Sequence, residues 1–282
     1  MTKVCNLCPR KCGVNRSAGE RGVCGAGDKV KVALASLHYW EEPPISGKNG
    51  SGTIFFSHCS LKCIYCQNAT ISRDGKGREV SIEELQNMML DLQDKGAENI
   101  NFVTGTHFAV QIIEACKSVR HELKIPIVWN TSSYETVETI SKLNSIVDIY
   151  LADFKYYSNE LGNAFSRVSN YFEIAAKAIN AMVEGEKKVI VRHLVLPGHV
   201  DDSKNVIKHV HETFGDKVKL SIMNQYTPVI KDEAILKKYP ELGRTVTAEE
   251  YEEVLDFADS HLISDYFWQE DETCKESFIP NF

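Results

Sequence analysis

The stretch "HCSLKCIYCQN" (58–68) sets three cysteines inside eight positions, spaced Cys59-x3-Cys63-x2-Cys66. Thiolates at such spacing bind metal. A structural zinc site takes four closed ligands, yet no fourth cysteine or histidine pair follows at the usual distance. His58 adjoins Cys59, which makes joint ligation geometrically awkward. An iron–sulfur cube takes one thiolate per iron. Three thiolates therefore leave one iron open to a small chelating ligand. Three unrelated buried cysteines would be a poor account of so dense a loop.

A second set, Cys5-x2-Cys8-x3-Cys12-x11-Cys24, offers four thiolates, enough for tetrahedral zinc or a second iron–sulfur cluster. Arg10, Lys11, Arg16 and Arg21 lie among them and would offset their negative charge. So short a segment has little core, so a bound metal would supply its stability. A structural zinc is the expectation and an electron-relaying cluster the alternative. Cys116 shares an apolar helix face with Ile112 and Ile113 and reads as core, while Cys274 has no partner in sequence.

These sites need a scaffold, and the chain has 282 residues to build one. Its hydrophobic content of 43% and charged content of 25% are those of a globular protein. A net charge of −7, with no lysine- or arginine-rich run, argues against nucleic acid as a partner. No apolar stretch is long enough to span a bilayer, and "MTKVCNLCPRKC" lacks a signal-peptide core. A cytoplasmic location is expected. In that compartment nine cysteines are not structural disulfides.

Residues 1–52 form a cysteine-rich segment ending in the connection "EEPPISGKNGSG" (41–52). Six short β-rich runs follow, at 53–57, 99–104, 126–131, 147–154, 188–196 and 218–226. Helical patterns alternate with them at 81–96, 107–123, 201–215 and 247–261. Ser81 and Glu84 fit a capping box, and Thr247 can cap the last helix. Such alternation implies βαβ units and a parallel sheet. Six units are too few for a closed eight-fold barrel, so the expected fold is an α/β partial (β/α)6 TIM-like barrel over 53–262. A tail, 263–282, completes the chain. The three-cysteine loop directly follows the first of these strands, at the carboxyl end of the sheet where ligands bind.

With Tyr65 before its last cysteine, this motif resembles the signature of the radical S-adenosylmethionine superfamily. The resemblance implies a 4Fe-4S cluster whose free iron is chelated by the amino and carboxylate groups of S-adenosylmethionine. One electron then cleaves the cofactor to a 5′-deoxyadenosyl radical, which abstracts a hydrogen atom. It also implies a ferredoxin or flavodoxin donor and an anaerobic or microaerobic setting.

"DFK" (153–155) and "VRHLVLPGHVDD" (191–202) further resemble glycyl-radical-enzyme activases of the pyruvate formate-lyase activating type, across most of 53–228. By that resemblance Lys155 contacts the methionine carboxylate, Asp153 the methionine or ribose, and Arg192 lies near both. The leading "CNLCPRKCGVNR", "EEPPISG" and "WNTSSYE" resemble an uncharacterised branch of these proteins.

Two segments depart from the activase pattern. The second strand ends "VTGTHF", without an acidic residue for the methionine amino group, leaving Thr104, Thr106 and backbone carbonyls to serve. The sixth ends "MNQYTP", with Asn224, Gln225 and Tyr226 in place of a histidine. Asn130, Ser132 and Ser133 suit ribose hydroxyls, or a serine caps a helix from Tyr134 onward. His107, His199 and the group His38, Tyr39, Glu41 and Glu42 are further candidates near the pocket. The functional expectation is a radical enzyme whose substrate is a glycyl-radical-enzyme glycine or another protein, peptide or metabolite. A non-catalytic metal-binding module is the alternative.

Overall fold

A computed structural model describes residues 4–269, 280 and 282. Cys274 and most of the acidic run at 269–272 lie outside them. Among the described residues nine strands form one sheet: β1 Val30–His38, β2 Ser51–Phe56, β3 Arg78–Val80, β4 Ile100–Val103, β5 Ile127–Thr131, β6 Ile149–Asp153, β7 Lys188–Leu194, β8 Lys219–Met223 and β9 Tyr266–Phe267. Their order is β3-β1-β2-β4-β5-β6-β7-β8-β9. From β2 to β9 every neighbouring pair is parallel. β1 runs antiparallel to both β2 and β3. The six expected strands are thus β2 and β4–β8, and the sheet stays open because β3 and β9 end it without pairing to each other.

The helices lie where the sequence breaks its alternation. Ile82–Asp94 starts at the Ser81–Glu84 capping box and buries Leu85, Met89 and Leu92. Ala248–Ser260 starts at a second box, Thr247 with Glu250. Ala109–Val119 buries Cys116, whose sulfur lies 3.9 Å from Met89 Sδ. Val137–Leu143 is capped by Thr136, whose side chain accepts from the Thr139 amide. Ser132 and Ser133 are therefore not its caps. Among the described residues no helix is long and apolar enough to cross a membrane.

The segment before residue 53 does more than carry cysteines. β1 crosses back along β2, pairing His38 with Ser51 at the amino end of that strand. The loop from Tyr39 to Gly50 therefore turns beneath the parallel strands, and its residues Glu41 and Glu42 hydrogen-bond side chains of β4, β5, β7 and β8. At the other end of the strands, Gly105 follows β4. A Cβ there would stand 2.6 Å from Ile112 Cδ1 and 2.8 Å from the Trp129 ring, so only glycine permits this close packing.

Candidate active site

The three-cysteine loop leaves β2 through His58, whose backbone is left-handed at φ 76°. That turn is held by the His58 amide donating to Ile71 O at 2.7 Å. A non-glycine residue in this region carries about 1–2 kcal/mol of strain. Cys59, Cys63 and Cys66 then face one cavity of about 240 Å³. Their charges act on one another: burial and then Cys63 push the Cys66 thiol up to about 11, and burial followed by Cys63 also raises Cys59. Buried thiols this close favour their protonated form unless cationic metal compensates them.

Tyr65, Thr104, Asn130, Ser132, Asp153, Lys155 and Arg192 line the same cavity, with His38, Trp40, Glu41, Gln225 and Tyr226. Two candidates are placed elsewhere. Thr106 donates to the buried Glu135 carboxylate at 2.9 Å and does not line the cavity. Asn224 is likewise outside the lining, its amide donating to Gln269 Oε1 at 2.9 Å, and the next residues, Gln225 and Tyr226, take the cavity wall. His107 and His199 also stand apart: His107 Nε2 lies 2.8 Å from Ser57 O, and His199 Nε2 lies 3.5 Å from Glu241.

Arg192 is the hub. Its Nη1 donates to Glu41 Oε2 at 2.9 Å, its Nη2 to Asn130 Oδ1 at 2.7 Å, and its Nε to Asp153 Oδ1 at 2.9 Å. Glu41 Oε1 in turn accepts from Asn130 and Asn101 at 3.0 and 3.1 Å. Glu42 lies 3.7 Å from Arg192 Nη1, and its Oε1 accepts from Ser221 at 3.2 Å. Lys155 Nζ donates to Asp153 Oδ2 at 2.7 Å. Burial opposes ionisation of Asp153, yet Arg192 and Lys155 together hold its carboxyl below the usual range. Glu42 goes the other way: burial raises it more than Arg192 lowers it. Sequence reasoning named Glu41, Glu42, Asn130, Asp153, Lys155 and Arg192 without joining them, and it missed Asn101 and Ser221, because the joints are long-range and polar.

The donor set fits the cluster and nucleotide that the motif implies. No other cysteine among the described residues lines the cavity, so the loop offers three sulfurs and no fourth. Lys155 presents a cation beside it, and the buried Ser132 hydroxyl has no hydrogen-bond partner among the described residues. An orphaned hydroxyl in a cavity wall is a place for a ligand's polar group.

The matching family model is the radical SAM superfamily, over residues 53–210. The chain belongs to the radical SAM superfamily. An uncharacterized protein of Methanocaldococcus jannaschii is 34% identical over 271 residues, covering 92% of this chain and 75% of that protein. The pyruvate formate-lyase-activating enzyme of Clostridium pasteurianum is 24% identical over 187 residues, 63% of this chain and 75% of the enzyme. Among solved structures, Streptococcus suis SuiB bound to its precursor peptide SuiA superposes with a TM-score of 0.57 at 14% identity. That match covers 76% of this chain and 47% of SuiB, so the chain spans about half the length of that structural relative. SuiB has also been solved with S-adenosylmethionine, again at a TM-score of 0.57 and 14% identity, over 76% of this chain and 49% of SuiB.

The other cysteines, Cys5, Cys8, Cys12 and Cys24, gather at the front of the chain. Cys8 is pushed up to about 12, chiefly by burial and further by the charges of Cys24, Cys5 and Cys12. A tight turn brings the Lys11 amide to Cys8 O at 3.0 Å, and Arg16 Nη2 lies 3.5 Å from Cys24 Sγ. Among the described residues no three His, Cys, Asp or Glu side chains are arranged to hold a metal ion as they stand.

Two outcomes follow from the electrostatics. Arg192→Met removes the cation that Glu41, Glu42 and Asp153 share, leaving Lys155 to Asp153 alone, and should cost about 3–5 kcal/mol in urea unfolding; a loss under 1 kcal/mol, the scale of an exposed pair, would show the hub to be dispensable. Burial holds His107 neutral, lowering it from 6.5 to about 3. The unfolded chain therefore takes up that proton first: the stabilisation is complete above pH 6.5 and declines as pH falls towards 3. His107→Gln should flatten this acid slope by up to about 1.4 kcal/mol per pH unit, whereas parallel wild-type and variant curves would contradict the assignment.

Proposed function

We propose that Cys59, Cys63 and Cys66 hold a 4Fe-4S cluster and that the adjoining cavity binds S-adenosylmethionine. Bound together, these groups supply one-electron cleavage of the nucleotide to a 5′-deoxyadenosyl radical that removes a hydrogen atom from substrate. One observation carries the reading: three thiols, with no fourth among the described residues, share a cavity with Lys155, Asp153, Asn130 and Ser132.

The chain's own groups then have distinct tasks. Lys155 faces the methionine carboxylate, where a buried ammonium beside a carboxylate is favourable. Asp153 orients Lys155 through its 2.7 Å bond and ties it to Arg192. Arg192, fully engaged with protein partners, fixes the floor of the site. Ser132 and Asn130 offer polar groups to the ribose, Tyr65 packs beside the cysteines, and Thr104 stands at the end of β4, where no carboxylate is present.

For the substrate, the activase likeness of "DFK" and "VRHLVLPGHVDD" supports a protein backbone glycine of a glycyl-radical enzyme. Trp40 lines the cavity while 56% exposed, an arrangement suited to a peptide or protein entering from solvent. Modification of another peptide is the second reading, favoured by the likeness to SuiB, whose structure holds a precursor peptide. A ferredoxin or flavodoxin supplies the electron, and the protein works in the cytoplasm away from oxygen. The N-terminal cysteines hold a structural zinc or an auxiliary cluster.

Reduced, anaerobically reconstituted protein should release 5′-deoxyadenosine from S-adenosylmethionine, and Cys63→Ala should abolish that release. Retention of the activity by the variant would place the chemistry elsewhere. Deuterium carried from a candidate glycine into 5′-deoxyadenosine would choose between the substrate readings. Metal analysis should give about one zinc per chain beside the cluster iron, the content of one full cysteine set; iron sufficient for two cubes and no zinc would replace the knuckle with a second cluster.

A further inference from the structure

The Ser166 hydroxyl lies 2.9 Å from Cys63 Sγ and 2.8 Å from the Tyr156 hydroxyl, which lies 2.6 Å from the Tyr65 hydroxyl. All four residues are buried. Each hydroxyl carries one proton, so with a free thiol this chain of hydrogen bonds can run in either direction. A cysteine sulfur that ligates metal has no proton and can only accept. Ligation therefore sets the polarity: Ser166 donates to Cys63, Tyr156 to Ser166, and Tyr65 to Tyr156. The Tyr65 oxygen is left as an acceptor towards the cavity it lines.

The backbone of Ser166 is held from the other side. Arg10, in the turn between Cys8 and Cys12, donates through Nη2 to Ser166 O at 3.1 Å and through Nη1 to Arg167 O at 2.7 Å. Its Nε reaches Ser60 O, inside the three-cysteine loop, at 2.9 Å. One guanidinium thus spans the cysteine loop and the end of the helix Asn159–Ser166. Its planar donors match three fixed carbonyls, a pattern that a lysine would not reproduce.

We propose that Ser166 is a positioning residue for the cluster, its hydroxyl stabilising the reduced state through Cys63, and that Arg10 of the N-terminal segment holds it in register. The inference rests on the reading that Cys63 is a cluster ligand. A hydrogen bond to a ligating sulfur favours the more negative, reduced form and so raises the reduction potential. Ser72, 3.3 Å from Cys66 Sγ, supplies a longer contact of the same kind.

The test is a potentiometric titration of the reconstituted full-length protein, followed by electron paramagnetic resonance, with iron and sulfide measured in every sample. Ser166→Ala should lower the reduced-to-oxidised ratio at a fixed potential on the order of tenfold, a negative shift of about 59 mV for one electron. Ser166→Thr, which keeps the hydroxyl, should restore it. Arg10→Ala should shift the potential in the same direction, and the shift should vanish in the Ser166→Ala background. An unchanged midpoint in Ser166→Ala at wild-type iron content overturns the proposal and leaves the cluster assignment standing. Additive shifts in the double variant overturn the role of Arg10. Wild-type protein without a reducible cluster overturns both the proposal and the reading beneath it.

Discussion

Three sulfurs on one short loop can cover three corners of a four-iron cube and no more. That shortfall governs the proposed chemistry, because only an iron without a protein ligand can accept a small molecule. It also governs the architecture. The loop must sit at the carboxyl end of β2, where the neighbouring strands deliver polar side chains to the same cavity. The left-handed turn at His58 accomplishes the exit from the strand, and its strain is balanced by the surrounding packing.

Beneath the cavity, electrostatics impose a second constraint. A guanidinium in the interior of a sheet needs anionic partners, and carboxylates there need a cation. Arg192, Asp153, Glu41, Glu42 and Lys155 satisfy one another with Asn101, Asn130 and Ser221 as neutral links. Two of these carboxylates come from the loop between β1 and β2. The front of the chain is therefore part of the site: Glu41 and Glu42 brace its floor, while Arg10 braces the cysteine loop. The division expected at residue 52 falls inside β2, and hydrogen bonds run across it from Arg10 to Ser60 and from Arg192 to Glu41.

Much of this was legible in the residues. The six parallel strands show as β-branched and aromatic runs, and the capping box at Ser81 and the cap at Thr247 mark two helix starts. The cysteine spacing by itself points to an open iron–sulfur site. β1 was hidden because Ala33, Ala35 and Ser36 dilute its alternation, and β3 and β9, of three and two residues, are too short to show a period. The role of Glu41 was illegible for a different reason. Its partner Arg192 is 151 residues away, and nothing local in "EEPP" distinguishes a buried carboxylate from a solvated one. Thr106 illustrates the converse: it sits at a strand end, as a ligand-binding residue would, yet the buried Glu135 captures its hydroxyl.

The central claim is that one corner of the cluster belongs to the nucleotide. Electron–nuclear double resonance on the reduced cluster, with S-adenosylmethionine isotopically labelled at its amino nitrogen and carboxylate oxygen, tests this directly. The account predicts hyperfine coupling from both labels, each indicating an atom bound to the unique iron. A reduced cluster that shows coupling from neither label would contradict it.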